Sequence, residues 1–379
     1  MAGNPRKRKA LFSVTNCICY DQRVQKMAEV LKSLGADVTI IGRHLNKCCD
    51  NNTLHCHTHR FRMFFRKGFF FYKFINIRLF FYLLFHKSDI LVANDLDTLL
   101  PNFLVSKLKR IPLVYDSHEY FTGVPEIQNR PFVKWVWTTI EKSIFPGLEH
   151  IITVSDSIAD QYEKQYGIRP AVVRNCAKRS EHVISYNRSE IGVPEDFLLL
   201  ILQGGGINID RGGEELIEAV SRLEKVFLII AGSGDVIGLL KEKAIELNSF
   251  DRIRFISKLP WEEMMRYTKS SDAGLSLDKD TNPNYHFSLP NKLFDYISAG
   301  IPVIAGNLPE VKKIIDENSC GIVIPAVTPE EIGKAITRLR DDRILLNNMR
   351  FNSVSASGSL NWDVESKLVR EFYTNILKQ

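Results

Sequence analysis

The sequence predicts an α/β protein built from two doubly wound, parallel-sheet halves. Three observations carry that reading. Apolar strand-like runs alternate with helical runs nearly from end to end, and such alternation implies parallel strands joined by crossover helices. The pattern pauses over a polar, irregular stretch at 176–195, which holds Gly192 and Pro194, and then restarts. The 379 residues suit two domains with ample core. The expected division is an N-terminal domain over 1–180, a second domain over 181–360, and a closing helix over 361–379.

In the first half, KALFSVTN (9–16) reads as a strand, and 21–35 as a helix stopped by Gly35. ADVTIIG (36–42) and RFRMF (60–64) are the next strands. DILVAND (89–95), a helix from Asp97 to about Arg110, and PLVYDSH (112–118) follow. A helix near 131–145, HIITVS (150–155), a helix to Tyr166 and AVVRN (171–175) complete this half. The second half restarts with FLLLILQ (197–203), a helix at 212–223, KVFLIIAG (225–232) and a helix at 235–248. RIRFIS, a helix from about Pro260, AGLSLD (273–278), a helix near 290–299, PVIAG and GIVIP (321–325) come next. Helices at 328–341, 343–353 and 363–378 close the chain.

Composition is that of an ordinary globular chain, 45% hydrophobic and 25% charged. The net charge of +6 permits attraction to phosphorylated ligands or anionic lipid without requiring nucleic acid, for which no motif is present. The basic start, Arg6 to Lys9, reads as a solvated tail, and no signal peptide is read at the start. Seven cysteines, an odd number without metal spacing, read as free thiols in a reducing cytosol. Cys48 and Cys49 are adjacent, and Cys17 and Cys19 would face opposite sides of a strand. His55, Cys56, His57 and His59 lack a second ligand pair at zinc spacing, so no metal site is expected there.

The window from Phe61 to Phe85 is aromatic and basic together. Arg66, Lys67, Lys73 and Arg78 interrupt it, so its longest uncharged run falls short of the ~20 residues of a spanning helix. Two readings stand: a helix buried by the first sheet, or a helix lying at a membrane surface with its cations toward headgroups.

The stretch 284–310 reads as a loop, a short helix, a glycine stop and a buried strand. Pro290 suits a first helical position, Gly300 a left-handed terminator, and Pro302 follows. A helix N-terminus at such a sheet favours an anion, and Asp295, a turn and a half inside, is placed to accept bonds from a sugar diol. Anion and diol together describe a nucleotide diphosphate. Gly204-Gly205-Gly206 follows a strand and permits close backbone approach to phosphate, with Arg211 as a guanidinium donor. Gly232-Ser-Gly234-Asp-Val-Ile-Gly238 resembles a dinucleotide fingerprint, but no strand ending in an acidic residue follows at ribose distance. Asp95-Leu-Asp97 invites a metal reading; Asp97 opening a helix as its cap is the preferred one. His118, in Asp116-Ser-His118-Glu119, ends the next strand.

Taken together, these segments resemble a retaining glycosyltransferase of the GT-B fold, family 4 (glycosyl transferases group 1). They are Asp21-Gln-Arg23-Val24, Asn94-Asp95, Val114 to Glu119, Val172-Val-Arg-Asn175, Pro290-Asn-Lys292, Asp295-Tyr296 and Gly300-Ile-Pro302-Val303. The resemblance implies two Rossmann-like domains facing across a cleft and transfer of a sugar from a nucleotide sugar, UDP- or GDP-linked, with retention. The donor nucleotide would be held by Gly205, Gly206, Arg211, Gly232, Ser288, Leu289, Pro290, Asn291, Lys292 and Asp295. His118 and Asp95 would serve the sugar side and the acceptor. No metal and no cofactor beyond the co-substrate are implied. The acceptor would be a glycan or, as the +6 charge and the 61–85 helix would suit, a lipid-linked sugar as in surface polysaccharide assembly, and that helix would place a cytoplasmic protein peripherally at the inner face of the membrane. Phe287 stands where the family often carries an acidic residue near the sugar, which turns attention to backbone and to Asp280. Two other functions share this architecture: a nucleotide-sugar epimerase, which converts its substrate alone, and a non-catalytic glycan- or lipid-binding scaffold.

Overall fold

The computed structural model describes residues 6–45 and 56–378, and divides into two units, Met1–Arg174 with Ser366–Gln379, and Asn175–Glu365. Among the described residues unit 1 holds seven strands: β1 (Lys9–Ser13), β2 (Asp37–Arg43), β3 (His57–Phe61), β4 (Ile90–Asn94), β5 (Leu113–Ser117), β6 (His150–Thr153) and β7 (Ala171–Val172). Their order is β3-β2-β1-β4-β5-β6-β7, and every pairing is parallel. Its helices are α1 (Gln22–Ser33), α2 (Gly68–Phe85), α3 (Leu96–Lys109), α4 (Pro125–Gln128), α5 (Pro131–Ile144) and α6 (Asp156–Tyr166).

Unit 2 holds β8 (Leu198–Gly204), β9 (Val226–Gly232), β10 (Ile253–Ile256), β11 (Ala273–Ser276), β12 (Val303–Gly306) and β13 (Gly321–Ile324), in the order β10-β9-β8-β11-β12-β13. Here too every pairing is parallel. Its helices are α7 (Gly213–Ser221), α8 (Ile237–Glu246), α9 (Trp261–Ser270), α10 (Pro283–His286), α11 (Asn291–Ala299), α12 (Pro309–Asn318), α13 (Pro329–Asp341) and α14 (Arg343–Ser357). The last helix, α15 (Trp362–Lys378), begins in unit 2 and ends in unit 1. Both sheets run 3-2-1-4-5-6 from their first six strands, the Rossmann order, so each has a switch point beside its first strand where ligands of such folds bind. Strands β8 and β9 are buried almost throughout because helices cover both sheet faces. Two apolar cores line the faces of the second sheet, one around Leu293, Phe294 and Ile297 and the other around Leu216, Leu240 and Ile336.

Several elements differ from expectation. The third strand lies at 57–61 rather than 60–64, because this edge strand, HTHRF, is mostly half-exposed and carries little apolar signal. The helix α12 was not foreseen, although Pro309 at its start and the buried Val311, Ile314 and Ile315 mark one. The stretch after 175 groups with unit 2. Arg188 there donates to Phe197 O (2.6 Å) and pairs with the buried Asp272 (2.6 Å). Lys9 is part of β1, not of a tail, and its N–H donates to Asp89 (2.7 Å). Cys17 and Cys19 are each disulfide-bonded, against the free thiols expected, and they lie on the turn after β1 rather than on a strand. Cys56, Cys176 and Cys320 remain thiols. Cys48, Cys49 and His55 fall outside the described residues, and among those described no group of three or more His, Cys, Asp or Glu is arranged to hold a metal ion.

Candidate functional site

Each unit gathers polar side chains at the carboxyl end of its sheet, at the switch point. In unit 2 the turn after β8, Gly204–Gly206, lies beside the turn after β9. Ser233 N donates to Gly204 O (3.1 Å), and Ile207 N donates to Ser233 O (2.9 Å). Gly232 has φ +144°, and a Cβ on it would stand 1.8 Å from Gly204 O; one on Gly234 would stand 1.9 Å from Ile207 O. The glycines of the apparent dinucleotide fingerprint are therefore required by turn-on-turn packing. Gly205 and Gly206 remain exposed, and Lys258 Nζ lies 3.8 Å from where a Gly205 Cβ would be. Lys258, which follows β10, had no assigned role in the sequence reading.

The helix α11 begins one residue later than expected. Pro290 has an extended ψ of 136° and is the cap residue, and Leu293 N donates back to its carbonyl (3.1 Å). Asn291 is exposed and Leu289 buried, while Ser288 Oγ donates to Tyr285 O (2.9 Å). The first N–H groups of such a helix have no partner within it and carry its positive end. Gly300 ends the helix at φ +73°, as expected.

Arg211 and Lys292 converge on one carboxylate that sequence reasoning missed. Asp278, fully buried after β11, lies 2.6 Å from Arg211 Nη1 and 3.2 Å from Lys292 Nζ. Burial works to raise the Asp278 pKa, but the two cations outweigh it and hold the carboxyl below its ordinary value. Lys292 is lowered, by burial first and by Arg211 as well. The Arg211 guanidinium also stacks over Tyr285, 4.3 Å from the ring centroid. Two cations against one anion leave this cluster one positive charge in excess.

Asp295, half-buried, accepts from Gln203 Nε2 (3.0 Å) and from Trp261 Nε1 (3.0 Å). Gln203 is itself fixed by Thr268 Oγ1, which donates to its amide oxygen (2.6 Å). Tyr296, next in the helix, is buried, and its hydroxyl accepts from Gln203 N (3.2 Å). The carboxylate is thus oriented on a rigid element by two donors. Asp280 pairs with His286 (2.8 Å), and Phe287 packs edge-on to that imidazole at 4.8 Å.

In unit 1 the corresponding cluster is His118 between two carboxylates. Its Nδ1 lies 3.4 Å from Asp95 and its Nε2 3.4 Å from Asp116, while its backbone N–H donates to Asp95 (2.8 Å). Burial opposes a charge on His118, but the two carboxylates lift its pKa to about 9. Asp116, wholly buried, is also paired with Arg23 (2.7 Å); burial would raise it, and these cations bring it to about 2. Arg23 donates further to Val173 O (2.8 Å), which tethers the end of the unit's chain to its centre. The cap of α3 is Asp95, in a left-handed conformation at φ 60°, and not Asp97 as expected. Asp97 lies inside the helix, accepts from Thr15 Oγ1 (2.5 Å), and is raised to about 7 by burial. Asp95 and Asp97 are therefore each engaged by neighbours rather than aligned as an exposed pair.

Residues 22–177 match the family described as Glycosyltransferase Family 4, and residues 189–354 match Glycosyl transferases group 1. Among curated proteins, chitobiosyldiphosphodolichol beta-mannosyltransferase of Candida albicans is 22% identical over 260 residues, 62% of this chain and 55% of that protein. The chain spans about half the length of the curated relatives it matches. Among solved structures, sucrose-phosphate synthase from Thermosynechococcus elongatus superposes with a TM-score of 0.79 at 16% identity, covering 98% of this chain and 100% of that one. Anabaena HepE, in complex with UDP and glucose, gives 0.76 at 15% identity, with 97% and 100% covered. The GT-B fold of two Rossmann-like domains is thereby shown.

Proposed function

We propose that this chain, a family 4 glycosyltransferase domain followed by a group 1 domain, moves a sugar from a nucleotide diphosphate sugar to an acceptor with retention of configuration. The observation that carries the reading is the Asp278 cluster. It holds Arg211 and Lys292 in place with one positive charge in excess, and Lys292 lies in the first turn of α11, whose N-terminus also favours anions. Asp295, oriented by Gln203 and Trp261 on the same helix, takes the ribose hydroxyls. Ser288 to Asn291 and Gly205–Gly206 offer backbone N–H groups to the diphosphate. HepE, which binds UDP and glucose, has the same fold.

Charge developing on the leaving diphosphate is met by these cations and dipoles, so the reading needs no metal. In the retaining step the anomeric C–O bond to phosphate breaks and the acceptor oxygen bonds the same face. The acceptor's proton passes to the departing phosphate oxygen. His118, held cationic between Asp95 and Asp116, is assigned to the sugar's hydroxyls. A glycan or lipid-linked acceptor is in keeping with the Candida relative's name.

A thermal-shift series with UDP, GDP and ADP tests the donor site, because a ligand that binds only the folded state raises apparent stability with its affinity. One nucleoside diphosphate should stabilise the protein, and Arg211→Ala and Asp295→Ala should each abolish most of that shift. Equal shifts in wild type and both variants would remove the site. Turnover of the matching nucleotide sugar without any acceptor, to an epimer, would replace transfer by epimerisation.

A further inference from the structure

We propose that the outer face of α2 docks the protein on an anionic lipid surface. The helix carries large apolar side chains around its whole circumference, and helices of that kind are ordinarily buried. Here only a stripe spaced by four, Phe71, Ile75, Leu79 and Leu83, is buried, and the helix packs against α3. The opposite face presents Phe69, Phe70, Phe74, Ile77, Phe81 and Phe85 to solvent, at 42–76% exposure. Phe65, in the preceding loop, stacks on Phe70 and Phe74 with ring centroids 5.3 and 5.4 Å apart, which makes the patch continuous.

The charge pattern selects the occupant. Between Phe61 and Ser88 there are six Lys and Arg and no Asp or Glu, as much charge as the net +6 of the whole chain. Lys73 and Arg78 are exposed on the same face as the rings. A second copy meeting this face across a two-fold axis would set cation against cation. Lipid phosphates complement it, with rings at the acyl boundary and long cationic side chains reaching headgroups. By length and composition the helix could cross a bilayer. The buried stripe running its length against unit 1 instead fixes it lying along the surface.

The test is flotation of the full-length protein with phosphatidylcholine vesicles, with and without phosphatidylglycerol. Binding should require the anionic lipid and weaken with salt. Phe70→Ser with Phe74→Ser and Phe81→Ser should abolish it at an unchanged melting temperature. Lys73→Glu with Arg78→Glu should weaken it by roughly fivefold per cation or more. Retained binding in both variants overturns the proposal. So does a collapse of the melting temperature in the aromatic variant, which assigns the rings to a core, or a dimer dissolved by the same substitutions. The readout is independent of nucleotide binding, so the donor-site reading stands or falls separately.

Discussion

Asp278 is a fully buried carboxylate between Arg211 and Lys292. Removing one side of a buried charge arrangement leaves the remainder uncompensated, a loss on the order of 3–5 kcal/mol. Asp278→Asn should therefore lower the melting temperature of the ligand-free protein. A nucleoside diphosphate should then stabilise the variant more than the wild type, since its phosphates supply the missing anion. A smaller shift in the variant would mean that Arg211 and Lys292 need Asp278 to aim at phosphate. His118 allows a pH test. Its pKa is raised from an ordinary 6.5 to about 9, so its stabilising contribution is complete below pH 6.5 and is lost as pH rises through 9. That contribution is roughly 3 kcal/mol. Denaturation midpoints of the unit 1 transition should fall between pH 6.5 and 9, and His118→Gln should flatten that fall. An unchanged slope in the variant would place the titration elsewhere. Asp278 escaped sequence reasoning because it closes an apolar strand run, and its partners lie 67 and 14 positions away.

At the scale of elements, the strands and most helices were legible because alternating apolar runs and glycine stops are local signals. Gly35 and Gly300 end α1 and α11 in the left-handed region, as expected. Edge strands and caps were less legible, since β3 is selected by its pairing to β2 and the cap of α3 by the strain accepted at Asp95. The glycine turns were legible as turns, but not in their division of labour. Gly232 is held against the carbonyl of Gly204 at φ +144°, whereas Gly205 has ordinary clearance. Gly232→Ala should destabilise the protein by at least about 2 kcal/mol from backbone strain alone, before any displacement of the neighbouring turn. Gly205→Ala should fold normally and yet weaken nucleoside diphosphate binding, because its new methyl stands on the exposed side of the turn. Urea midpoints and diphosphate titrations of the two variants separate these effects. A Gly205→Ala protein with normal affinity would exclude that turn from phosphate contact.

For the whole molecule, the notable element is α15, whose first residues belong to one unit and whose remainder belongs to the other. Trp362 N donates to Ala177 O (2.8 Å) within unit 2. Beyond residue 365, Val369, Tyr373 and Ile376 are buried in unit 1 at 0–2% exposure, and Arg370 donates to Ser33 Oγ (3.0 Å). Tyr373 lies close enough to Asp116 and Arg23 to feel both charges, which sets it near the ion pair that also faces His118. Removing residues 366–379 strips three large apolar side chains from that core, roughly 5–9 kcal/mol of burial, against the about 5–15 kcal/mol that holds a typical domain. Hydrogen exchange of the truncated protein should show unit 1 losing protection throughout. Unit 2, whose contacts end at Glu365, should keep its protection and its nucleoside diphosphate thermal shift. Because the Asp278 cluster and Asp295 lie wholly within unit 2, loss of that shift on truncation would show that the donor site depends on residues outside it. Native protection in unit 1 would show that α15 is an accessory rather than part of its core.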